Sequence, residues 1–140
     1  MSTSSSHSQP CFRYNIRVPY AHVDQMGFVY YANYFVYFEM ARSELLREAG
    51  IPYTKMEKQG VFLPVVEAHC VYRKPAHYDD LLSIESRCSI RGIRLRIDYT
   101  LQSQNELLAE GHTEHVCMNR KGKALRPVQE IKRLVHPPVV

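Results

Sequence analysis

Residues 31–52, YANYFVYFEMARSELLREAGIP, decide the fold. Tyr34, Phe38, Ala41 and Leu45 recur at steps of four, three and four, the spacing of one face of an α-helix. Gly50 suits the left-handed position that closes a helix and Pro52 is a stop signal, so the spacing predicts a helix from Tyr31 to about Gly50. Its two halves differ. From Tyr31 to Ala41 apolar side chains cover nearly every side, whereas Arg42, Glu44, Arg47 and Glu48 give the second half an ordinary polar face. A helix that is apolar all round has to be enclosed all round. One sheet covers one side only, so a second chain is expected to cover the rest.

Outward from the helix the period changes to two. Before it, Phe12, Tyr14, Ile16 and Val18 alternate with Arg13, Asn15 and Arg17, a half-buried strand that should stop at Pro19. After it, Val61 to Lys74 reads as a long strand. Leu82, Ile84, Ser86, Cys88 and Ile90 line one side of a second, and Leu95, Ile97, Tyr99 and Leu101 one side of a third. Leu107 to Asn119 is a weaker last strand. The links at Arg91-Gly92 and Gln104-Asn105 are short enough for hairpins, which makes the pairing antiparallel. Arg126-Pro127 is placed to begin a short C-terminal helix. The expectation is an α+β domain over 11–140, one long helix against one curved five-stranded antiparallel sheet.

Composition agrees with a globular chain. At 140 residues, 45% hydrophobic and 23% charged, it is long enough to bury a core and too apolar for disorder. No apolar run approaches the ~18 residues of a membrane-spanning helix. Residues 1–10, MSTSSSHSQP, are polar and Ser-rich, without the apolar stretch of a secretion signal, and read as a disordered tail on a cytoplasmic protein. Four cysteines, at 11, 70, 88 and 117, show no close pairing and read as unpaired thiols. His112 and His115, three apart on a strand, face opposite sides and cannot chelate one ion together; His69-Cys70 fails likewise. No metal site is expected. The net charge of +4 suits an anionic small ligand as well as nucleic acid. The basic residues lack interleaved stacking aromatics, which argues against nucleic acid.

The segment 18–47, VPYAHVDQMGFVYYANYFVYFEMARSELLR, resembles the hotdog-fold acyl-CoA thioesterases of the 4-hydroxybenzoyl-CoA thioesterase type, including the Tol-Pal-associated branch. The pattern that carries the resemblance is Asp24, Gly27, Val29-Tyr30, Asn33-Tyr34 and Glu39-x-x-Arg42. Tyr72-Arg73-Lys74-Pro75-Ala76 and Asp79-Asp80-Leu81 extend it, so that it covers about residues 12–135. It implies a hotdog fold, hydrolysis of acyl-CoA thioesters to free acid and CoA, and no metal or organic cofactor. It also implies a homodimer or dimer of dimers with the active site at a subunit interface.

Thioester hydrolysis needs a carboxylate that attacks the carbonyl or activates water, and donors for the oxyanion that forms. Asp24 lies in a loop before an apolar helix whose first amides are unpaired and carry the positive end of its dipole. The resemblance assigns the nucleophile or base to Asp24 and the oxyanion donor to the backbone N–H of Tyr31. Asn33, a residue type that caps helices, would move the free amides to about residues 34–36 if it capped this one. His22 shares a face with Asp24 on extended backbone and is a candidate to tune it or to bind substrate. Gly27, Val29, Tyr30 and Tyr34 complete the substrate-binding candidates around the loop. Cations cluster at Arg73-Lys74, at Arg91, Arg94 and Arg96, and from Arg120 to Arg126. Coenzyme A phosphates need such partners, and the resemblance points to strand ends such as Arg91 and Arg94, across subunits.

Two other function classes fit the same fold. A hydratase or dehydratase of acyl thioesters would need a His and a carboxylate acting together, for which His22 and Glu39 are the nearby pair. A non-catalytic acyl-thioester binding module would need no Asp24 at all.

Overall fold

A computed structural model of the chain describes residues 11–135; the tail expected at 1–10, like 136–140, lies outside the described residues. In chain order the elements are β1 (Cys11–Arg17), a 3₁₀ turn (Tyr20–His22), α1 (Asn33–Glu48), α2 (Tyr53–Lys58) and β2 (Val65–Tyr72). There follow β3 (Leu81–Arg91), β4 (Arg94–Ser103), β5 (Glu106–Met118), β6 (Ala124–Leu125) and α3 (Gln129–Val135). The main strands run antiparallel in the order β1-β3-β4-β5-β2, and the two-residue β6 pairs with the end of β5. Shifts of register at Leu101/Gln102 and between Val65 and Glu67 bend the sheet around α1. One long helix wrapped by a curved antiparallel sheet is the hotdog arrangement. Both expected hairpins are present: Arg91 pairs with Arg94, and Ser103 with Glu106 across Gln104 and Asn105 in left-handed backbone.

The alternation in β3 and β4 turns Leu82, Ile84, Cys88, Leu95, Ile97, Tyr99 and Leu101 inward, where Tyr37, Phe38, Ala41, Leu45 and Leu46 of α1 meet them. The rings of Phe38 and Tyr99 stack with centroids 4.4 Å apart. The other side of the helix start stays uncovered. Tyr31 and Val36 are 61% and 40% exposed, and Val65 and Val66 at the start of the edge strand β2 are exposed as well.

The structure corrects the expected boundaries. Helix α1 begins at Asn33 rather than Tyr31, since the chain enters through a tight turn at Tyr31-Ala32. Pro52, expected only as a stop, also opens α2: its carbonyl accepts from Lys55 and Met56. The second strand begins at Val65 and not Val61, because Pro64 has no N–H for a ladder. The C-terminal helix begins at Gln129, two residues after Pro127.

A chain of buried polar groups crosses the core. Arg42 donates through Nε to Tyr53 Oη at 2.7 Å and through an Nη to Tyr99 Oη at 3.1 Å. Tyr99 Oη lies 2.8 Å from Thr113 Oγ1, Thr113 Oγ1 lies 2.8 Å from His115 Nε2, and His115 Nδ1 lies 3.2 Å from the Leu63 carbonyl. That carbonyl can only accept, so Nδ1 carries the proton of a neutral His115 and Nε2 accepts from Thr113. Tyr99 then donates to Thr113, and Arg42 to Tyr99. His115 is fully buried, and burial, reinforced by the Arg42 charge, pushes its pKa down to about 4.

The folded value lies below the unfolded one, so this contribution to stability is complete above about pH 6.5. It drains away as pH falls through about 4. About 3 kcal/mol is at stake, from 1.36 kcal/mol per pKa unit. Denaturant titrations between pH 7 and 4 are expected to show a steeper loss of stability for the wild type than for His115→Gln, which keeps a donor and an acceptor without a titrating ring. Parallel pH profiles would remove His115 from the account.

Candidate active site

Asp24 opens a three-residue loop. Its N–H donates to the Phe28 carbonyl at 2.8 Å, and its carbonyl accepts from Gly27 N–H at 3.0 Å. Gly27 turns the chain with φ +83°, left-handed backbone that glycine adopts without strain. Asp24 Oδ1 accepts from the backbone N–H of Met26 at 2.8 Å and of Phe28 at 3.1 Å. One carboxylate oxygen therefore fixes the loop. Among the described residues Oδ2 has no hydrogen-bond partner, and the side chain borders a cavity of about 440 Å³. The local turn and the open carboxylate oxygen, alternatives when the sequence is read alone, coexist on one residue.

The loop is tied to the rest of the chain by Val29 N–H donating to the Ala76 carbonyl at 2.8 Å and Tyr30 N–H to the His22 carbonyl at 2.9 Å. Asn33 does not cap α1; its side-chain amide donates to the same His22 carbonyl at 3.2 Å. The amides of Asn33, Tyr34 and Phe35 are taken by the carbonyls of Tyr30, Tyr31 and Ala32. Those of Tyr31 and Ala32 find no acceptor among the described residues, so the free amides lie at the start of the tight turn and not at 34–36.

Phe28, Val29, Tyr30, Tyr31 and Tyr34 form one wall of the cavity, and Tyr72, Arg73, Lys74 and Pro75 the other. Tyr72 donates to the Tyr31 carbonyl at 3.1 Å, clamping the helix start to the end of β2. Its hydroxyl pKa is pushed up to about 12, chiefly by desolvation, so it stays a donor at neutral pH. Tyr34 is buried, its ring set edge-on to Tyr72 at 4.8 Å, and its Oη accepts from Ala76 N–H at 3.2 Å. Arg73 pairs with Glu110 at 2.6 Å and Lys74 with Glu106, pairs open enough to water to exchange for a ligand.

Of the candidates, Asp24, Val29, Tyr30, Tyr31 and Tyr34 therefore line one cavity, and Gly27 borders a second groove that Asp24 shares with Tyr20 and Tyr78. His22 does not join them. The 3₁₀ turn at Tyr20–His22 replaces the assumed extended backbone, and the imidazole turns onto α1, with Nδ1 2.8 Å from Tyr37 Oη. Within one chain Arg91 and Arg94 lie at the opposite end of the sheet from this cavity. Tyr72 pairs with Ala109 and Arg94 with Val116, seven steps along β5. At ~3.3 Å per residue that is about 23 Å. Arg94 instead pairs with Glu114 at 3.0 Å and Glu67 at 3.8 Å. Weighing histidines alone also misses that the β2–β5 register gathers ligand atoms of Glu67, His112 and Glu114 within 4.8 Å of one another. These carboxylates are held by Arg94, Arg96 and His112.

The sequence matches the model of the thioesterase-like superfamily over residues 18–135. It is similar to the acyl-CoA thioester hydrolase YbgC of Escherichia coli O157:H7, 33% identical over 77% of this chain and 82% of that one. The acyl-CoA thioesterase YbgC of Haemophilus influenzae is 31% identical over 89% of this chain and 94% of its own length. Among solved structures, a hypothetical protein of Aquifex aeolicus superposes with a TM-score of 0.85 at 31% identity, covering 89% of this chain and 98% of that one.

Proposed function

The chain belongs to the thioesterase-like superfamily, and on that premise we propose that it hydrolyses acyl-CoA thioesters to a free carboxylic acid and CoA. The observation that carries this reading is that an Asp24 oxygen and the Tyr31 amide, both without a partner among the described residues, border one cavity. A thioester carbonyl set with its oxygen on the Tyr31 N–H meets a preorganised donor, and the positive end of α1 stabilises that oxygen as it gains charge. Asp24, either by attacking the carbonyl carbon or by taking a proton from a water that does, supplies the nucleophile. The C–S bond breaks, the sulfur leaves as the CoA thiol with a proton, and the acyl carbon keeps the hydroxyl from water.

Arg73 and Lys74 are the cations beside the cavity and the first partners for CoA phosphates. Arg91 and Arg94 reach a phosphate only from a second copy. That copy is proposed on the exposed start of α1 and the β2 edge, where Tyr31, Val36, Val65 and Val66 leave apolar surface uncovered. Less supports the hydratase reading: His22 is not on the Asp24 cavity, and its Nδ1 lies 2.8 Å from Tyr37 Oη.

Thiol release from a panel of acyl-CoAs, aromatic through long-chain, tests the activity. Turnover of at least one member is expected; none across the panel would favour the binding module. Lys74→Ala is expected to raise KM several-fold with kcat little changed, and added salt to raise the wild-type KM in the same way. A KM unmoved by either would take the phosphates elsewhere.

A further inference from the structure

Arg42 is 7% exposed, and among the described residues no carboxylate lies within 4.0 Å of its guanidinium. Its bonds go to two tyrosine hydroxyls, so a full positive charge is buried against neutral groups. Such a charge is costly unless something compensates it. Tyr53 Oη accepts from Arg42 Nε, and its own proton has no acceptor among the described residues. Nor has the second Nη of Arg42. These donors border a cavity of about 490 Å³ between α1, α2 and the segment leading into β2. Phe62, Leu63, Pro64 and Met118 make the rest of its wall apolar, with Val65 at its border on the β2 edge where the second copy is proposed; Glu39 and Glu57 are the other charged groups on it, and both are exposed.

At the buried floor the free donors of Arg42 and Tyr53 under apolar walls are complementary to an acceptor-only anion carried on a hydrocarbon body, while the exposed Glu39 and Glu57 lie on the lining as well. The free Nη of Arg42 and the hydroxyl of Tyr53 offer the two oxygens of a carboxylate one donor each. We infer that this cavity is a binding site for a small aliphatic carboxylate, with its headgroup on Arg42 and Tyr53 and its chain against Phe62, Leu63 and Met118. The site is separate from the thioester cavity. Arg42 lies eleven residues along the chain from Tyr31, about 16 Å at ~1.5 Å per helical residue. Glu39 and Glu57 weaken the site by repulsion and so set its affinity.

The test uses hexanoate as probe and the full chain labelled with ¹³C at its methionine methyls, because Met118 lines this cavity while Met26 lies in the Asp24 loop. Hexanoate is expected to shift the Met118 resonance saturably and leave Met26 unmoved, and hexanamide to shift neither. Tyr53→Phe, which keeps the cation and the packing, should weaken hexanoate about threefold. Arg42→Lys, which keeps charge and loses the free Nη donor beside the Tyr53 hydroxyl, should weaken it about tenfold. Glu39→Gln should tighten it about threefold. A response at Met26 alone, equal responses to acid and amide, or unchanged affinity in Tyr53→Phe would overturn the proposal. Because no thioester is present, its failure leaves the hydrolase reading untouched.

Discussion

Asp24→Asn is expected to lower kcat for thioester hydrolysis by about 10²-fold or more while leaving the fold and KM nearly unchanged. The two oxygens of Asp24 do different work. Oδ1 holds the loop through the amides of Met26 and Phe28, and an Asn carbonyl oxygen accepts those bonds equally well. Oδ2 is without a partner among the described residues, and there Asn places an NH₂ group, neither a nucleophile nor a base. Circular dichroism and the melting temperature should match the wild type, so that lost turnover reports chemistry rather than a collapsed loop. Asp24→Ala should lose both, with a less stable loop as well as a slower reaction. A wild-type kcat in Asp24→Asn would take catalysis away from this residue.

Gly111→Ala is expected to destabilise the fold by about 1–3 kcal/mol, and more if β2 has to move. Gly111 faces Cys70 in the β2–β5 ladder, where the sheet closes over α1. A Cβ there would overlap the His69 carbonyl oxygen of β2 and lie 3.0 Å from the ring of Phe38. The first neighbour is backbone in a ladder and the second is stacked on Tyr99, so neither yields cheaply. For a chain of this size the melting temperature should fall by roughly 4–10 °C, at a few degrees per kcal/mol. An unchanged melting temperature would mean that β2 is free to shift at this point. Because Tyr72, two residues beyond Cys70 on β2, clamps Tyr31, the same variant should also lose activity.

What is legible in the sequence follows the length of each periodic signal. Helix α1 and strands β1, β3 and β4 are readable because each shows an inward face over several periods, and the two hairpins because their links are too short for anything else. The boundaries at Pro52 and Pro64 are not, since one proline ends an element as readily as it begins the next. At the site, Asp24 and the helix start are near neighbours in sequence, so a local motif locates them. Arg73 and Lys74 on the facing wall come from a strand end more than forty residues later. Nothing local distinguishes them from Arg91 and Arg94 at the opposite end of the sheet; only the strand register does. The buried chain from Arg42 to His115 is out of reach for the same reason: Tyr99 lies 57 residues from Arg42. Periodicity makes Arg42 the start of a polar helical face. It is buried instead, because Tyr53, Tyr99 and their partners supply acceptors that periodicity does not reveal.

The central claim is that the thioester sits between Asp24 and the Tyr31 amide. The most direct measurement is a crystal structure of Asp24→Asn bound to an acyl-CoA that the wild type hydrolyses. The predicted result is a thioester carbonyl oxygen about 3 Å from the Tyr31 N–H, its carbon facing the substituted side chain at position 24 and its CoA running past Lys74. A thioester bound elsewhere, or one whose carbonyl points away from the start of α1, would contradict it.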